Sequence, residues 1–274
     1  MATILDEIIA HKRAAELPRL PVVDRVALRD LPPCRGFRAA LKRPKGDTVH
    51  VIAEAKKGSP SKGIFVADYD PVPIAYDYLL GGAHALSILT DQRFFHGHLD
   101  HLVAVRKAVD LPIIRKDFLV DERQIAEARL AGADAILLIV ACLERGRLRD
   151  LYGFSKEIGL DVLVEVHDAA EAAIALAEHC DLVGVNNRDL RTFKVAIETT
   201  FDLVPALVDG RRVVVSESGI TDRHQCQALE SAGVDAVLVG ESLMLAPDRP
   251  AALRRLRGTI APTGGTLSAG GLKI

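Results

Sequence analysis

The sequence predicts an α/β protein, a single (β/α)8 barrel with an N-terminal helical extension. Three observations predict it. From residue 49 onward, eight short runs rich in Val, Ile and Leu alternate with longer segments of helical character. Such continuous apolar runs suit strands buried on both faces, as in parallel sheets. The first run is not followed by the GxGxxG turn expected of an open nucleotide-binding sheet. The 274 residues also match the ~250 typical of a closed barrel.

Residues 1–48 precede the repeat. They are expected to form a helix over 4–17, a proline-rich connector over 18–33 and a short helix around Phe37–Leu41, together an extension packing on the barrel. The strand candidates are VHVIAEA (49–55), HALSIL (84–89), LPIIR (111–115), DAILLIV (134–140), DVLVEV (161–166), DLVGVN (181–186), RVVVSE (212–217) and DAVLVG (235–240). Between them lie amphipathic stretches such as DERQIAEARLAGA (121–133), where Asp121 and Gln124 have capping-box spacing and Gly132 marks the helix end. Gly81–Gly82–Ala83, Ala131–Gly132–Ala133 and Ser231–Ala232–Gly233 are small-residue turns, each leading straight into a strand. The barrel therefore spans 49–257 as one TIM barrel domain. Residues 258–274, rich in Gly, Ser and Thr, read as a flexible tail.

Composition narrows the partners. With 35 basic and 37 acidic side chains, the net charge of −2 gives no electrostatic footprint for nucleic acid. No apolar run approaches the ~20 residues that cross a bilayer, and MATILDEIIAHKRAAELPRL lacks a signal peptide's apolar region. Cys34, Cys142, Cys180 and Cys226 form no CxxC pair, which fits a reducing compartment. A cytoplasmic protein with no nucleic-acid or membrane partner is expected.

In such barrels the chemistry sits at the C-terminal ends of the strands, and the unusual polar residues of this chain fall there. The first strand ends with Glu54 and Lys56, two apart and so on one face. Arg115–Lys116–Asp117 ends the third, and Glu165 interrupts the apolar fifth. Asn186–Asn187–Arg188 ends the sixth, Ser216–Glu217–Ser218–Gly219 the seventh, and Gly240–Glu241–Ser242 follows the eighth. A charge within an apolar strand costs several kcal/mol unless paired, so Glu165 requires Lys116 or Lys56. Carboxylates and ammoniums crowded in a cleft suit acid–base catalysis. Ser218–Gly219–Ile220 and Gly240–Glu241–Ser242 stand where barrels hold phosphate through backbone N–H groups, with the Glu241 carboxylate pointing away from the anion.

His96, His98 and His101 cluster without a matching ligand set, so no metal is expected there. His167, beside Asp168, reads as a capping or loop-bonding residue rather than a catalytic one. GxSxG, HExxH and GxxxxGK[ST] are absent, which leaves nucleophilic hydrolase, zinc protease and P-loop classes unsupported.

The segments IAEAKKGSPSKG (52–63), LSILTDQRFFHG (86–97), PIIRKDFLVDERQI (112–125), VLVEVHD (162–168), VGVNNRDLRTF (183–193), VSESGI (215–220) and VLVGESLM (237–244) closely resemble the indole-3-glycerol phosphate synthase family. TILDEIIAHKRAAEL (3–17) and FRAAL (37–41) are similar to that family's N-terminal segment, so the likeness covers about 3–257 in order. The resemblance implies conversion of 1-(2-carboxyphenylamino)-1-deoxyribulose 5-phosphate to indole-3-glycerol phosphate in tryptophan biosynthesis, with loss of carbon dioxide and water and no cofactor or metal.

By motif, the resemblance makes Lys116 the general acid, Glu165 the proton-transfer partner in dehydration and Lys56 the cation for the anthranilate carboxylate. Glu54 orients Lys56. Asn186, Arg188, Glu217 and Ser218 hold the sugar chain and the charged network. Ser59, Gly219, Gly240 and Glu241 grip phosphate, and Phe95, Phe118, Leu137 and Leu190 wall the aromatic ring. Gly58 stands where the family more often has a larger residue, which is expected to loosen its loop, and Asp91 replaces a commoner glutamate. A small-molecule sugar-phosphate substrate and a monomer or weak homodimer are expected. One rival, phosphoribosylanthranilate isomerase, calls for a cysteine base after the first strand, where this chain has Glu54–Ala55–Lys56. A second, a barrel binding a sugar phosphate without turnover, is disfavoured by the presence of both Lys116 and Glu165.

Overall fold

The computed structural model describes residues 3–60 and 62–259, so the expected flexible tail lies, from residue 260 on, outside the described residues. Eight parallel strands close into a barrel in sequence order: β1 (His50–Ala55), β2 (Ala85–Leu89), β3 (Ile113–Lys116), β4 (Ala135–Ile139), β5 (Asp161–Val166), β6 (Leu182–Asn186), β7 (Val213–Glu217) and β8 (Ala236–Val239). β8 closes on β1 with His50 opposite Ala236. Each strand lies within its expected apolar run, or at β3 within one residue of it.

The extension holds α1 (Ile4–His11), α2 (Arg25–Arg29) and α3 (Phe37–Leu41). The helix expected over 4–17 changes pitch at residue 12, becoming a π-turn over Lys12–Glu16 and a 3-10 turn over Leu17–Arg19. Bulges of this kind redirect side chains, and here the Lys12 side chain is buried against Asp91 and Asp117. The proline-rich connector contains α2, which starts because the Asp24 carboxylate accepts from the Val26 and Ala27 N–H groups.

The surrounding helices are α4 (Pro71–Gly81), α5 (Gln92–Phe95), α6 (Leu99–Ala108), α7 (Glu122–Leu130), α8 (Arg145–Glu157), α9 (Ala169–Ala177), α10 (Glu198–Leu207), α11 (Arg223–Ala232), α12 (Glu241–Met244) and α13 (Arg249–Arg257). Aspartate caps α4, α7, α9, α11 and α13, and the box of Asp121 and Gln124 is present as its spacing predicts. Gly82, Gly132 and Gly233 adopt φ of 81°, 89° and 93° after their helices. That left-handed turn explains the recurring small-residue phrases.

The core forms two shells. Outward strand residues such as Val51, Ile113 and Val183 pack beneath the helices. Inward residues, including Ile52, Ile114, Leu163 and Val215, fill the barrel, and Phe37 and Leu41 of α3 plug its lower end. That end is tied by aspartates preceding or opening the strands. Asp134 accepts from the Arg35 N–H at 2.8 Å, Asp161 from that of Arg38 at 2.8 Å, and Asp235 from that of Arg43 at 3.2 Å. Because side chains alternate, the inward residue two positions after each apolar one reaches the upper mouth. Ile52 leads to Glu54, Ile114 to Lys116, Leu163 to Glu165 and Val215 to Glu217.

Candidate active site

These charged residues meet in a cavity of about 360 Å3 at the C-terminal mouth. Its floor is an ion network. Lys116 Nζ lies 2.8 Å from Glu165 Oε2 and 3.0 Å from Glu217 Oε2. Of the two partners considered for Glu165, Lys116 is therefore the one in contact. Lys56 instead pairs with Glu54 Oε1 at 2.6 Å, as their shared face predicts. Asn186 Nδ2 donates to Glu165 Oε1 at 3.1 Å, and its own Oδ1 accepts from the Arg188 N–H at 3.0 Å.

Burial opposes the charges of Lys116, Glu165 and Glu217, so their ionised forms depend on their partners. For Lys116, burial acts against the ammonium, but Glu165, Glu217 and Glu54 outweigh it and hold the group well above the usual lysine range. For Glu165, burial is likewise outweighed, by Lys116 and His167, and the carboxyl falls well below its usual range. Glu217 goes the other way, because burial and the neighbouring Glu165 charge prevail over its share of Lys116. Its Oε1 is buried and has no hydrogen-bond partner. One ammonium thus serves two carboxylates unequally.

Each residue predicted for the site lines this cavity. Phe95 and Phe118 face one another across 5.9 Å and, with Leu137 and Leu190, form an apolar wall. Ser59, Gly219, Gly240 and Glu241 border the opposite side. There Ser218 and Gly219 have φ of 67° and 80°, consecutive left-handed residues that turn the backbone sharply. The strained Ser218 is held by Asn187, whose Nδ2 donates to the Ser218 carbonyl at 3.0 Å. A Cβ on Gly240 would lie 2.5 Å from Glu54 Oε1 and 3.0 Å from Lys56 Nζ, so glycine lets that ion pair sit beneath it. The Glu241 carboxylate is engaged by Lys62 of the loop after β1.

Two expectations require correction. Gly58 does not loosen its loop. It pairs with Ile64 in a two-residue antiparallel ladder, where a Cβ would meet the Gly63 carbonyl oxygen at 2.5 Å. Nor is His167 a cap. Asp168 caps α9, while the His167 ring is fixed between two carboxylates, Nε2 3.2 Å from Glu165 Oε1 and Nδ1 2.9 Å from Glu171 Oε2. Lys62 and His167 are the site residues that sequence reasoning missed. The position of His167, two after Glu165 at a strand end, was the available signal.

His98 caps α6, and His101 packs edge-on against Tyr69. Among the described residues no group of three or more His, Cys, Asp or Glu side chains could hold a metal ion. No helix among them is long and apolar enough to cross a membrane.

A family model described as Indole-3-glycerol phosphate synthase matches residues 5–256. Among curated relatives, proteins named Indole-3-glycerol phosphate synthase from Desulfotalea psychrophila and Laribacter hongkongensis are each 48% identical, over 248 and 257 residues. These matches cover 89% and 93% of this chain, and 94% and 96% of the relatives. The namesake from Chlorobium limicola is 47% identical over 250 residues, 90% of this chain and 95% of its own. Among solved structures, a 3-hexulose-6-phosphate synthase superposes with a TM-score of 0.61 at 16% identity, covering 78% of this chain and all of that one. At that identity the likeness speaks for the barrel fold alone.

Proposed function

The chain belongs to the indole-3-glycerol phosphate synthase family, and we propose that its buried lysines and carboxylates carry out that carboxy-lyase reaction of tryptophan biosynthesis by acid–base chemistry. The substrate is 1-(2-carboxyphenylamino)-1-deoxyribulose 5-phosphate. Its phosphate is taken by Ser59 and the backbone N–H groups around Gly219, Gly240 and Glu241. The anthranilate ring lies against Phe95, Phe118, Leu137 and Leu190, and its carboxylate is drawn to Lys56.

The observation that carries the reading is the Lys116 ammonium held between Glu165 and Glu217 at the barrel mouth. As the carboxylate-bearing ring carbon attacks the ketone carbon, the ketone oxygen becomes an alkoxide and accepts a proton from Lys116. A lysine held this firmly protonated is a weak acid, but a forming alkoxide is a strong enough base to take its proton. Carbon dioxide then leaves and the ring regains its aromatic electrons. The new hydroxyl takes up a further proton and leaves as water, while the proton shed by the carbon beside the ring nitrogen passes to Glu165, which completes the indole. Glu54 keeps Lys56 oriented and offsets positive charge at the ring nitrogen. Arg188, Asn186, Glu217 and Ser218 hold the sugar chain.

The test follows the indole chromophore in a continuous assay with chelator present and no cofactor added. Wild-type protein is expected to turn over. Lys116→Ala is expected to lose at least ~100-fold in kcat while still binding substrate, because a proton donor acts in the transition state. Lys56→Ala is expected to damage KM and kcat together. Substrate binding without product from folded wild-type protein would favour the binding-only barrel instead.

A further inference from the structure

The His167 ring is nearly buried and touches the network through one residue only. Its Nδ1 meets Glu171 Oε2 at 2.9 Å, and the same carboxylate oxygen accepts the His167 backbone N–H at 2.8 Å. Glu171 therefore locks both the backbone and the ring tilt. The opposite nitrogen, Nε2, lies 3.2 Å from Glu165 Oε1 but at an angle that leaves it without a hydrogen bond. Oε1 already accepts from Asn186, and Oε2 is held by Lys116. A small rotation of the Glu165 carboxyl would align Nε2–H with it, and contacts of this type often tighten only when substrate is bound. Among the charged groups facing the ring, Glu165 comes from β5 and Glu171 from α9. Cys142, on the turn after β4, lies near both carboxylates and within reach of the Arg13 and Asp6 charges of the extension.

We propose that His167 is a positioning residue for Glu165, an imidazolium braced by Glu171 that keeps the Glu165 carboxylate ionised and oriented while Lys116 gives up its proton. When Lys116 becomes neutral, Glu165 loses its principal counter-charge. His167 then supplies the remaining one, so that Glu165 stays able to take up the proton lost in dehydration. The carboxylate pair suits that charge. Burial pulls the imidazolium down, yet Glu165 and Glu171 outweigh it and push the group up to about 10. The inference rests on the reading of Glu165 as the dehydration partner.

The test uses full-length protein with 15N-labelled histidine, in which the His167 signal among the nine histidines is identified by its loss in His167→Gln. One imidazole is expected to stay protonated to about pH 10, and Glu165→Gln to lower that titration by more than a unit. His167→Gln is expected to lose about tenfold in kcat with KM within about twofold, a fraction of what a proton-transfer group itself supplies. A purely structural histidine would shift the melting temperature and leave kcat of the folded protein unchanged. That result, or a His167 titrating near 6.5, overturns the inference. If Glu165→Gln retains wild-type turnover, it is the role of Glu165 that fails. If Glu165→Gln is dead and His167→Gln keeps wild-type kcat, it is the positioning role. Should His167→Gln not fold, Glu171→Gln is expected to lower both the His167 titration and kcat, and no change in either overturns the proposal.

Discussion

At Gly184 the absence of one methyl carbon decides whether Glu217 can occupy the barrel. A Cβ there would collide with Glu217 Oε1 and sit 3.2 Å from Leu163 Cδ1. Gly184→Ala is therefore expected to fold with a loss of about 1–3 kcal/mol from overpacking, read in denaturant melts. It should cost up to ~100-fold in turnover, since a displacement of about 1 Å in an active site has that effect. His167 makes a second prediction at this scale. Its raised value means that its stabilisation is fully present below pH 6.5 and is lost as pH rises through about 10. The stability advantage of wild type over His167→Gln should narrow across that window in urea titrations. His167 was signalled only by its place two residues after Glu165, and Gly184 not at all. Gly184 sits between valines as any strand residue, and its reason lies on β7. The six charged or amide residues of the floor were legible, because a polar residue in an apolar strand end has few explanations other than a mouth-facing one.

At the scale of elements, α1 and its π-turn act on the mouth from outside the barrel. Lys12 Nζ lies 2.8 Å from both Asp91 Oδ2 and Asp117 Oδ1. Asp91 accepts from the Phe94 and Phe95 N–H groups, and Asp117 accepts from that of Phe118. One buried ammonium thus joins the two loops that carry the aromatic wall. Lys12→Met leaves two buried carboxylates without it and is expected to cost about 3–5 kcal/mol, measured by the denaturation midpoint. It should also raise KM more than it lowers kcat. Asp117, despite burial, is drawn down to about 2 by Lys12 and Arg115. Its stabilisation is present above pH 3.8 and is lost as pH falls through 2. Within AHKRAAE nothing distinguishes Lys12 from its neighbours, because both of its buried aspartate partners lie far along the chain. The change of helical pitch that buries it was equally hidden.

For the whole molecule, closure explains why the architecture could be read and the extension's docking could not. Strands covered on both sides must be apolar throughout, and eight such runs at regular spacing leave few arrangements. The extension is amphipathic, so its sequence announces helices without saying which surface they cover. In the structure it reaches both ends of the barrel, with α3 below and Lys12 above.

The anchoring of α3 also has a temporal side. Arg35, Arg38 and Arg43 donate their amides to Asp134, Asp161 and Asp235, which precede β4 and β8 or open β5. The portion of the chain synthesised first is thus secured by portions made much later, one of them adjoining the final strand. Contacts so distant in sequence form slowly. In pulse-labelled hydrogen exchange during refolding, the Arg43 amide should become protected together with β8 and not before it, making the earliest helices of the polypeptide among the last to settle.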